Sequence, residues 1–240
     1  TPKTSSAASD VYKRQVDSIA IKDMSGILKP YVAFEMISRL KETISVPIHM
    51  QTHATAGLST ATNLKAIEAG IDNIDTSISS MSLTYGHSPT ESIVSSLEET
   101  DRNTELDLSE LQKIADYFKK VRFKYSEFEG SLKGVDTQML SSQVPGGMLS
   151  NLESQLKELN KIELFQDVLN EIPKVRKDLG YPPLVTPVSQ IVGAQAMANV
   201  SENCAYKTLS KETINLVTGH YGKLPGRIND ELVKLAEKEQ

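Results

Sequence analysis

The sequence predicts an α/β fold, in which the C-terminal part of a TIM-type β/α barrel is followed by a mostly helical domain. Short apolar runs alternate with helical patterns over residues 16–80, whereas helical patterns and loops alone follow over residues 81–240. Alternation of this kind implies parallel strands joined by right-handed helical crossovers. Three such strands with two helices would leave exposed sheet edges. We therefore expect them to belong to a larger barrel, and the chain to begin within that domain.

The β/α segment begins with a predicted strand at Ser18–Ile21 and a helix at Tyr31–Leu40. A second strand follows at Val46–Met50, a second helix at Thr60–Ala69 and a third strand at Ile71–Ile78. The apolar runs have the length of strands, and the helical segments repeat apolar residues every three or four positions. The apolar residues of the first helix that share one face are Val32, Ala33, Met36, Ile37 and Leu40.

The helical segment contains a predicted N-cap at Asp107, paired with Glu110, ahead of an apolar stripe. The stripe consists of Leu111, Ile114, Ala115, Phe118, Val121 and Tyr125. Further helices are predicted at Ser150–Leu159, Ile162–Leu179, Ser189–Val200 and Lys211–His220. We therefore expect residues 81–240 to form a second, mostly helical domain.

The first stretch of the chain, residues 1–15, differs from the remainder. Its sequence, TPKTSSAASDVYKRQ, is polar and lacks periodicity. Part of it, SSAASDVYKRQ, resembles a translated sequencing adapter, and an ordinary disordered tail is the alternative. We expect no function from residues 1–15.

Composition and charge exclude several classes of function. A formal net charge of −5 and an aromatic content of 5% argue against a nucleic-acid partner, because basic and stacking side chains are scarce. The single cysteine, Cys204, excludes an internal disulfide and fits a reducing compartment. No run approaches the roughly 18 apolar residues of a membrane span. We expect a cytoplasmic protein that reaches a membrane only through partner subunits.

Side chains that are suited to catalysis or metal binding occur at the ends of two predicted strands. His49, Gln51 and His53 alternate in PIHMQTHATAG, so they project to one side if the strand continues that far. The carboxyl ends of barrel strands face the active site, and neutral imidazoles bind divalent metals. A structural or solvated histidine pair is the alternative. Lys22, in IKDMSGILKP, is a base or metal ligand, or else pairs with Asp23 or another carboxylate.

Several ordered segments resemble the carboxyltransferase alpha subunit of oxaloacetate decarboxylases and the B subunit of two-subunit pyruvate carboxylases. They are IKDMSGILKP, HMQTHATAGLSTATNLKAIEAGIDNIDTSISSMSLTYGHSPTES, FEGSLKGVD, QVPGGMLSNLESQL and PPLVTPVSQIVGAQA. The resemblance covers about residues 16–240 and implies a β/α barrel followed by a funnel-like helical carboxylase domain. It also implies biotin-dependent carboxyl transfer between oxaloacetate and biotin, or the pyruvate-carboxylating reaction of the two-subunit enzyme.

The resemblance assigns roles residue by residue. The family binds its metal through a first-strand aspartate, a carbamylated lysine and two histidines. By position the lysine is Lys22, one histidine is His53, and the other falls on Gln51. Thr186 corresponds to the threonine that moves a proton between biotin and the pyruvate enolate, and Ser189 to a serine near the biotin ring. Lys22 and Thr186 are therefore the candidate catalytic residues. The alternative from the residues alone is that Thr186 or Ser189 caps the helix that follows.

The resemblance also implies cofactors and partners. The cofactors are a zinc, cobalt or manganese ion and biotin, which is carried on a domain that this chain does not include. The substrates are oxaloacetate or pyruvate. The protein partners are the biotinyl carrier domain, a second copy of the chain, and either membrane subunits of a sodium-pumping decarboxylase or a biotin carboxylase subunit.

Two departures from the family pattern argue that this polypeptide is inactive by itself. The first-strand aspartate and the substrate-binding residues near it have no counterpart, so we expect an N-terminally truncated fragment. Gln51 replaces a histidine, and an amide oxygen is a poorer donor than imidazole for borderline metal ions. Two alternatives stay open: a barrel of the acyl-CoA lyase type, which shares the histidine metal signature, and a non-catalytic interaction module.

Overall fold

The computed structural model describes residues 16–142 and 144–238. The chain forms two compact units, Thr1–Asp136 and Thr137–Gln240. The last strand of the described chain ends at Ile74, and helices, turns and loops follow it. The predicted tail, residues 1–15, lies outside the described residues. No helix in the described part of the chain is both long enough and apolar enough to cross a membrane.

A three-stranded parallel sheet forms the centre of the first unit. Strands β1 (Ile19–Asp23) and β2 (Ile48–Thr52) are joined by helix α1 (Pro30–Thr43). Helix α2 (Ser59–Glu68) then joins β2 to β3 (Asn73–Ile74), and the strands lie in the order β1-β2-β3. Parallel neighbours require such crossovers. The β-α-β-α-β series predicted from the sequence is therefore confirmed.

The third strand is much shorter than the predicted Ile71–Ile78, and that prediction is wrong in extent. Only Asn73–Ile74 pair with β2. Beyond them, the Ser77 amide donates to the Ser88 carbonyl at 3.0 Å, and the Thr90 amide donates to the Ser77 carbonyl at 2.9 Å. The Asp75 amide still donates to the Met50 carbonyl of β2 at 2.9 Å, but from Ser77 onward the backbone bonds to residues 88–90 instead of to β2.

The core of the first unit lies between the sheet and its helices. Alternate residues of β2 are buried, so Ile48, Met50 and Thr52 face the helices while His49 and Gln51 face the other side. The core cluster comprises Ile37, Ile48, Met50, Ala66, Ile67, Ile71, Ile93 and Leu97. Full burial of one such isoleucine stabilises the fold by about 1.5–3 kcal/mol.

The buried stripe of α1 is narrower than the sequence pattern predicts. Ala33 and Ile37, four residues apart, are completely buried. Val32, predicted on the same face, is 49% exposed. Val32 is adjacent to Ala33 in the sequence, which corresponds to a rotation of about 100° around the helix axis. Its side chain therefore lies outside the narrow face of the helix that packs against the sheet.

Two helices complete the first unit, α3 (Thr90–Leu97) and α4 (Leu108–Lys124). The sequence pattern does not predict α3, because its eight residues contain only Ile93, Val94 and Leu97 as large apolar side chains, all of them buried. Its first turn is held by the Glu91 carboxylate, which accepts hydrogen bonds from the Ser79 amide and hydroxyl.

The N-cap of α4 is confirmed, but its predicted apolar stripe is wrong. The Asp107 carboxylate accepts hydrogen bonds from the amides of Ser109 and Glu110, at 2.7 and 3.3 Å. Of the stripe, only Ala115 is buried, and Ile114, Phe118 and Tyr125 are exposed on the described chain. An amphipathic pattern therefore predicted the helix correctly without predicting how much of its apolar face is covered.

The described part of the second unit contains helices and no strand. The helices are α5 (Met139–Ser142), α6 (Gly146–Glu158), α7 (Phe165–Asp178), α8 (Val188–Ser201), α9 (Lys211–Val217) and α10 (Asp230–Lys238). Gly193 of α8 faces Met148 of α6, and a Cβ there would lie 2.8 Å from the Cε at the flexible end of the Met148 side chain. Fully buried side chains of Leu156, Ile172, Leu179, Leu216 and Leu232 form the interior.

The cap at Asp107 gives a direct test of how α4 is stabilised. Asp107→Ala removes the acceptor for two backbone amides, so we expect the free energy of unfolding to fall by about 1 kcal/mol. Asp107→Asn keeps a side-chain acceptor and should lose much less. Urea denaturation of both variants checks this, and equal losses would show that the carboxamide cannot replace the cap.

Candidate functional site

The candidate site lies at the carboxyl ends of β1 and β2. Lys22 and Gln51 are paired directly across the two parallel strands, and His53 follows the end of β2. Paired residues of adjacent strands project to the same side, with backbones about 4.8 Å apart. The structure therefore brings together the three residues predicted as metal ligands.

Asp23 organises the turn that follows β1. Its carboxylate accepts hydrogen bonds from the Ile27 and Leu28 amides, at 3.2 and 2.9 Å, and from the Thr52 hydroxyl, at 2.9 Å. The Lys22 side chain is exposed and makes no hydrogen bond or ion pair with any described residue. The alternative that Lys22 pairs with Asp23 or another carboxylate is therefore wrong for the described chain.

His53 is a half-buried imidazole with a fixed orientation. Its Nδ1 lies 2.7 Å from the Tyr85 carbonyl oxygen. Because a carbonyl can only accept, Nδ1 carries the proton and Nε2 keeps its lone pair. Burial is the main reason why the His53 pKa lies below its ordinary value of 6.5, and the nearby His87 and Lys22 lower it further. The Tyr85 carbonyl and Asp23 act in the opposite direction without reversing the shift. This shift favours the neutral ring, which is the form that binds a metal.

A third imidazole, His87, belongs to the site and was not singled out by the sequence pattern. Its ring centroid lies 4.5 Å from that of His53. Its Nδ1 donates to the Thr52 carbonyl at 3.1 Å, and its Nε2 lies 3.3 Å from the Gln51 amide nitrogen. The signal that could have found it is its place in the loop after the third strand, on the barrel face that carries active sites.

The remaining histidine of β2 has a different environment. His49 projects to the same side as Gln51, but its Nε2 accepts a hydrogen bond from the Asn73 amide of β3 at 3.3 Å. Within the described ranges, no group of three or more His, Cys, Asp or Glu side chains is arranged to hold a metal. A metal site here therefore depends on donors outside that set, namely Lys22 and Gln51.

Thr186 and Ser189 lie in the second unit, at the start of α8. The N-cap residue of α8 is Pro187, and no side chain caps the helix. Thr186 is exposed, its peptide bond to Pro187 is cis, and its hydroxyl has no hydrogen-bond partner among the described residues. Ser189 is buried. The alternative that either residue is a simple helix cap is therefore not supported by the geometry.

Comparison with known families divides the chain into two segments. Residues 3–118 match the HMGL-like family, and residues 139–240 match the conserved carboxylase domain. Together the two matches cover most of the chain. The predicted combination of a TIM-barrel-type domain with a carboxylase domain is confirmed.

Similar proteins are carboxylases and carboxyltransferases. The chain is 54% identical to the B subunit of pyruvate carboxylase from Methanocaldococcus jannaschii, over 91% of this chain and 39% of that protein. It is 47% identical to the methylmalonyl-CoA carboxyltransferase 5S subunit of Propionibacterium freudenreichii subsp. shermanii, over 93% of this chain and 44% of that protein. The chain thus spans about two fifths of the length of these relatives.

Solved structures give the same grouping. The carboxyl transferase domain of Rhizobium etli pyruvate carboxylase with pyruvate and biocytin matches with a TM-score of 0.91 at 30% identity. That match covers 99% of this chain and 41% of the other.

A test of the site's backbone concerns Gly26, in the turn after β1. Gly26 has φ +65°, and a Cβ there would lie 2.2 Å from the His53 carbonyl oxygen. We expect Gly26→Ala to lower the free energy of unfolding by about 2 kcal/mol or more, because a positive φ and a backbone clash combine.

Gly70→Ala is the matched control for Gly26→Ala. Gly70 also has a positive φ, +89°, but nothing lies within 4 Å of its Cβ position. Urea denaturation should therefore show a smaller loss for Gly70→Ala. Equal losses of unfolding free energy in the two variants would show that the clash with the His53 carbonyl does not contribute to the effect of Gly26→Ala.

Proposed function

This chain belongs to the pyruvate carboxylase and transcarboxylase family, which joins an HMGL-like domain to a conserved carboxylase domain, and we propose that it carries out metal-assisted carboxyl transfer between biotin and pyruvate. The observation that carries the proposal is the convergence of Lys22, Gln51 and His53 at the ends of two adjacent strands. A relative at 54% identity and a domain structure with pyruvate and biocytin support the substrate and the cofactor.

The donors at the strand ends fit a divalent ion. The His53 Nε2 lone pair is available because the Tyr85 carbonyl holds the proton on Nδ1. Lys22 has no competing partner among the described residues, and carbamylation would turn it into an anionic oxygen donor. Gln51 adds an amide oxygen beside it. An ion held by these donors would act as a Lewis acid and stabilise the negative charge that develops on pyruvate.

The proposed roles of Thr186 and Ser189 concern the proton and the biotin ring. The Thr186 hydroxyl accepts the proton that leaves the pyruvate methyl group and passes its own proton to the biotin nitrogen that gives up the carboxyl group. Its exposure and lack of a partner leave it free for this transfer. Ser189 would contact the biotin ring, which a separate carrier domain delivers.

The same residues serve both directions of the reaction. Decarboxylation of oxaloacetate and carboxylation of pyruvate share one enolate and one proton transfer, so partner subunits decide the net direction. Two relatives, at 54% and 44% identity, are B subunits of pyruvate carboxylase, which favours a biotin carboxylase subunit as the partner. A sodium-pumping decarboxylase with membrane subunits is the second candidate. In either setting we propose assembly with a further copy of the chain.

The first functional test replaces the proton-transfer hydroxyl. We expect Thr186→Ala, in the holoenzyme with its biotin carrier, to lower the rate of carboxyl transfer by roughly two to four orders of magnitude. The melting temperature should not change, because the hydroxyl caps no helix. Thr186→Ser should keep part of the activity. Pyruvate formation from oxaloacetate measures the rate, and near-normal turnover of the alanine variant would remove Thr186 from the mechanism.

The second functional test concerns the lysine donor. We expect Lys22→Ala to abolish stoichiometric binding of Zn²⁺ or Co²⁺ and carboxyl transfer together, because it removes the only anionic donor of the proposed set. Lys29→Ala is the control, since Lys29 is an exposed lysine at the far end of the same turn, where its side chain does not cap α1. Elemental analysis of the purified proteins measures the metal. Full metal content in Lys22→Ala would refute the donor role, and a wild-type chain without metal would support the inert interaction module.

A further inference from the structure

We propose that His87 is a metal-binding residue of this site and supplies the imidazole that position 51 lacks. This inference rests on the proposed metal site and extends it to a residue outside β1 and β2. The observation behind it is that the His87 ring lies beside the His53 ring, with centroids 4.5 Å apart and ring planes inclined by 50°. Each ring donates its Nδ1 proton to a backbone carbonyl and not to the other ring.

Both imidazoles are oriented by the same kind of hydrogen bond. His53 donates from Nδ1 to the Tyr85 carbonyl at 2.7 Å, and His87 donates from Nδ1 to the Thr52 carbonyl at 3.1 Å. Each ring therefore keeps an Nε2 lone pair, and each orientation is fixed by a backbone acceptor. Metal-bound histidines characteristically donate their other ring N–H to a carbonyl or carboxylate, which sets the tautomer and raises the basicity of the ligand.

The distance between His87 and Gln51 fits two donors around one ion. The Gln51 amide group lies 3.3 Å from the His87 Nε2. Two donors at about 2.0–2.1 Å from a tetrahedral ion are themselves about 3.3 Å apart. Rotation of the amide by half a turn presents its oxygen at the same place. The two side chains can therefore share an ion with little movement, and His87 provides the stronger donor.

A buried polar network fixes the loop that carries His87. Ser88, the next residue, is completely buried. Its hydroxyl donates to the Ser59 hydroxyl at 2.9 Å and accepts from the Asn63 amide at 3.2 Å, both on α2. The His87 carbonyl accepts from the Leu83 amide at 2.9 Å. Because the loop is already ordered, binding an ion would not have to order it, and preorganisation of this kind favours affinity.

Direct metal titration distinguishes a ligand from a structural histidine. We expect His87→Ala to weaken binding of Zn²⁺ or Co²⁺ at least tenfold, as His53→Ala does, because each removes one imidazole. His49→Ala is the control, since His49 lies on the same face of β2 but contacts Asn73. The visible spectrum of the Co²⁺ protein should also change for His87→Ala and stay unchanged for His49→Ala.

A double substitution provides a second, independent test of the role of His87. Gln51→His should restore metal affinity in the His87→Ala protein, because it returns an imidazole to the position 3.3 Å from the lost Nε2. His87→Gln, which keeps a polar side chain, replaces the alanine variant if the latter does not fold, as judged by its melting curve without metal.

The outcomes separate the two proposals. Unchanged affinity in His87→Ala or His87→Gln, together with loss of binding in His53→Ala, would overturn the role of His87 and leave the proposed metal site intact. A wild-type chain that binds neither Zn²⁺ nor Co²⁺ would overturn both. Parallel losses in the His53 and His87 variants, with recovery by Gln51→His, would establish His87 as a ligand.

Discussion

The parallel register between β1 and β2 is the constraint on which the candidate site depends. It pairs Lys22 with Gln51 and Asp23 with Thr52. A shift by one residue would move the Lys22 side chain to the opposite face of the sheet, away from the imidazoles. Burial of the alternate residues of β2 against the helices opposes such a shift. The hydrogen bond from the Thr52 hydroxyl to Asp23 adds a specific link at the strand ends.

Backbone carbonyls, rather than side chains, orient the two imidazoles of the site. Any residue at positions 52 and 85 offers a carbonyl, so the orientation of His53 and His87 depends on the course of the backbone. That course is tight. The Gly86 carbonyl accepts from the Ala54 amide at 2.8 Å, and a Cβ at Gly86 would lie 2.9 Å from the Met81 carbonyl oxygen. The loop and the end of β2 therefore stabilise each other, and this fixes the orientation of both imidazole rings.

Local patterns predicted the elements of this chain better than the contacts between them. Strand and helix types follow from periodicities of two and 3.6 residues, which are properties of short segments. His87 could not be found in this way, because it meets Gln51 across 36 positions through an aperiodic loop. The exposure of Phe118 on a correctly predicted helix has the same origin. Thr186 illustrates the opposite error. Local sequence preference favours a side-chain helix cap at Thr186, whereas the N-cap residue in the structure is Pro187.

The donor set also bears on which metal the site selects. With Gln51 as the second donor, the site would combine one imidazole with oxygen ligands, a set that suits harder ions such as Mn²⁺. With His87 it offers two imidazoles, which favours Co²⁺ and Zn²⁺ in the order of affinity that nitrogen donors follow. Burial lowers the pKa of His53 and so favours the neutral ring that binds a metal. Metal preference would then be set by a loop residue after the last strand, and not by the strand that carries the histidine motif.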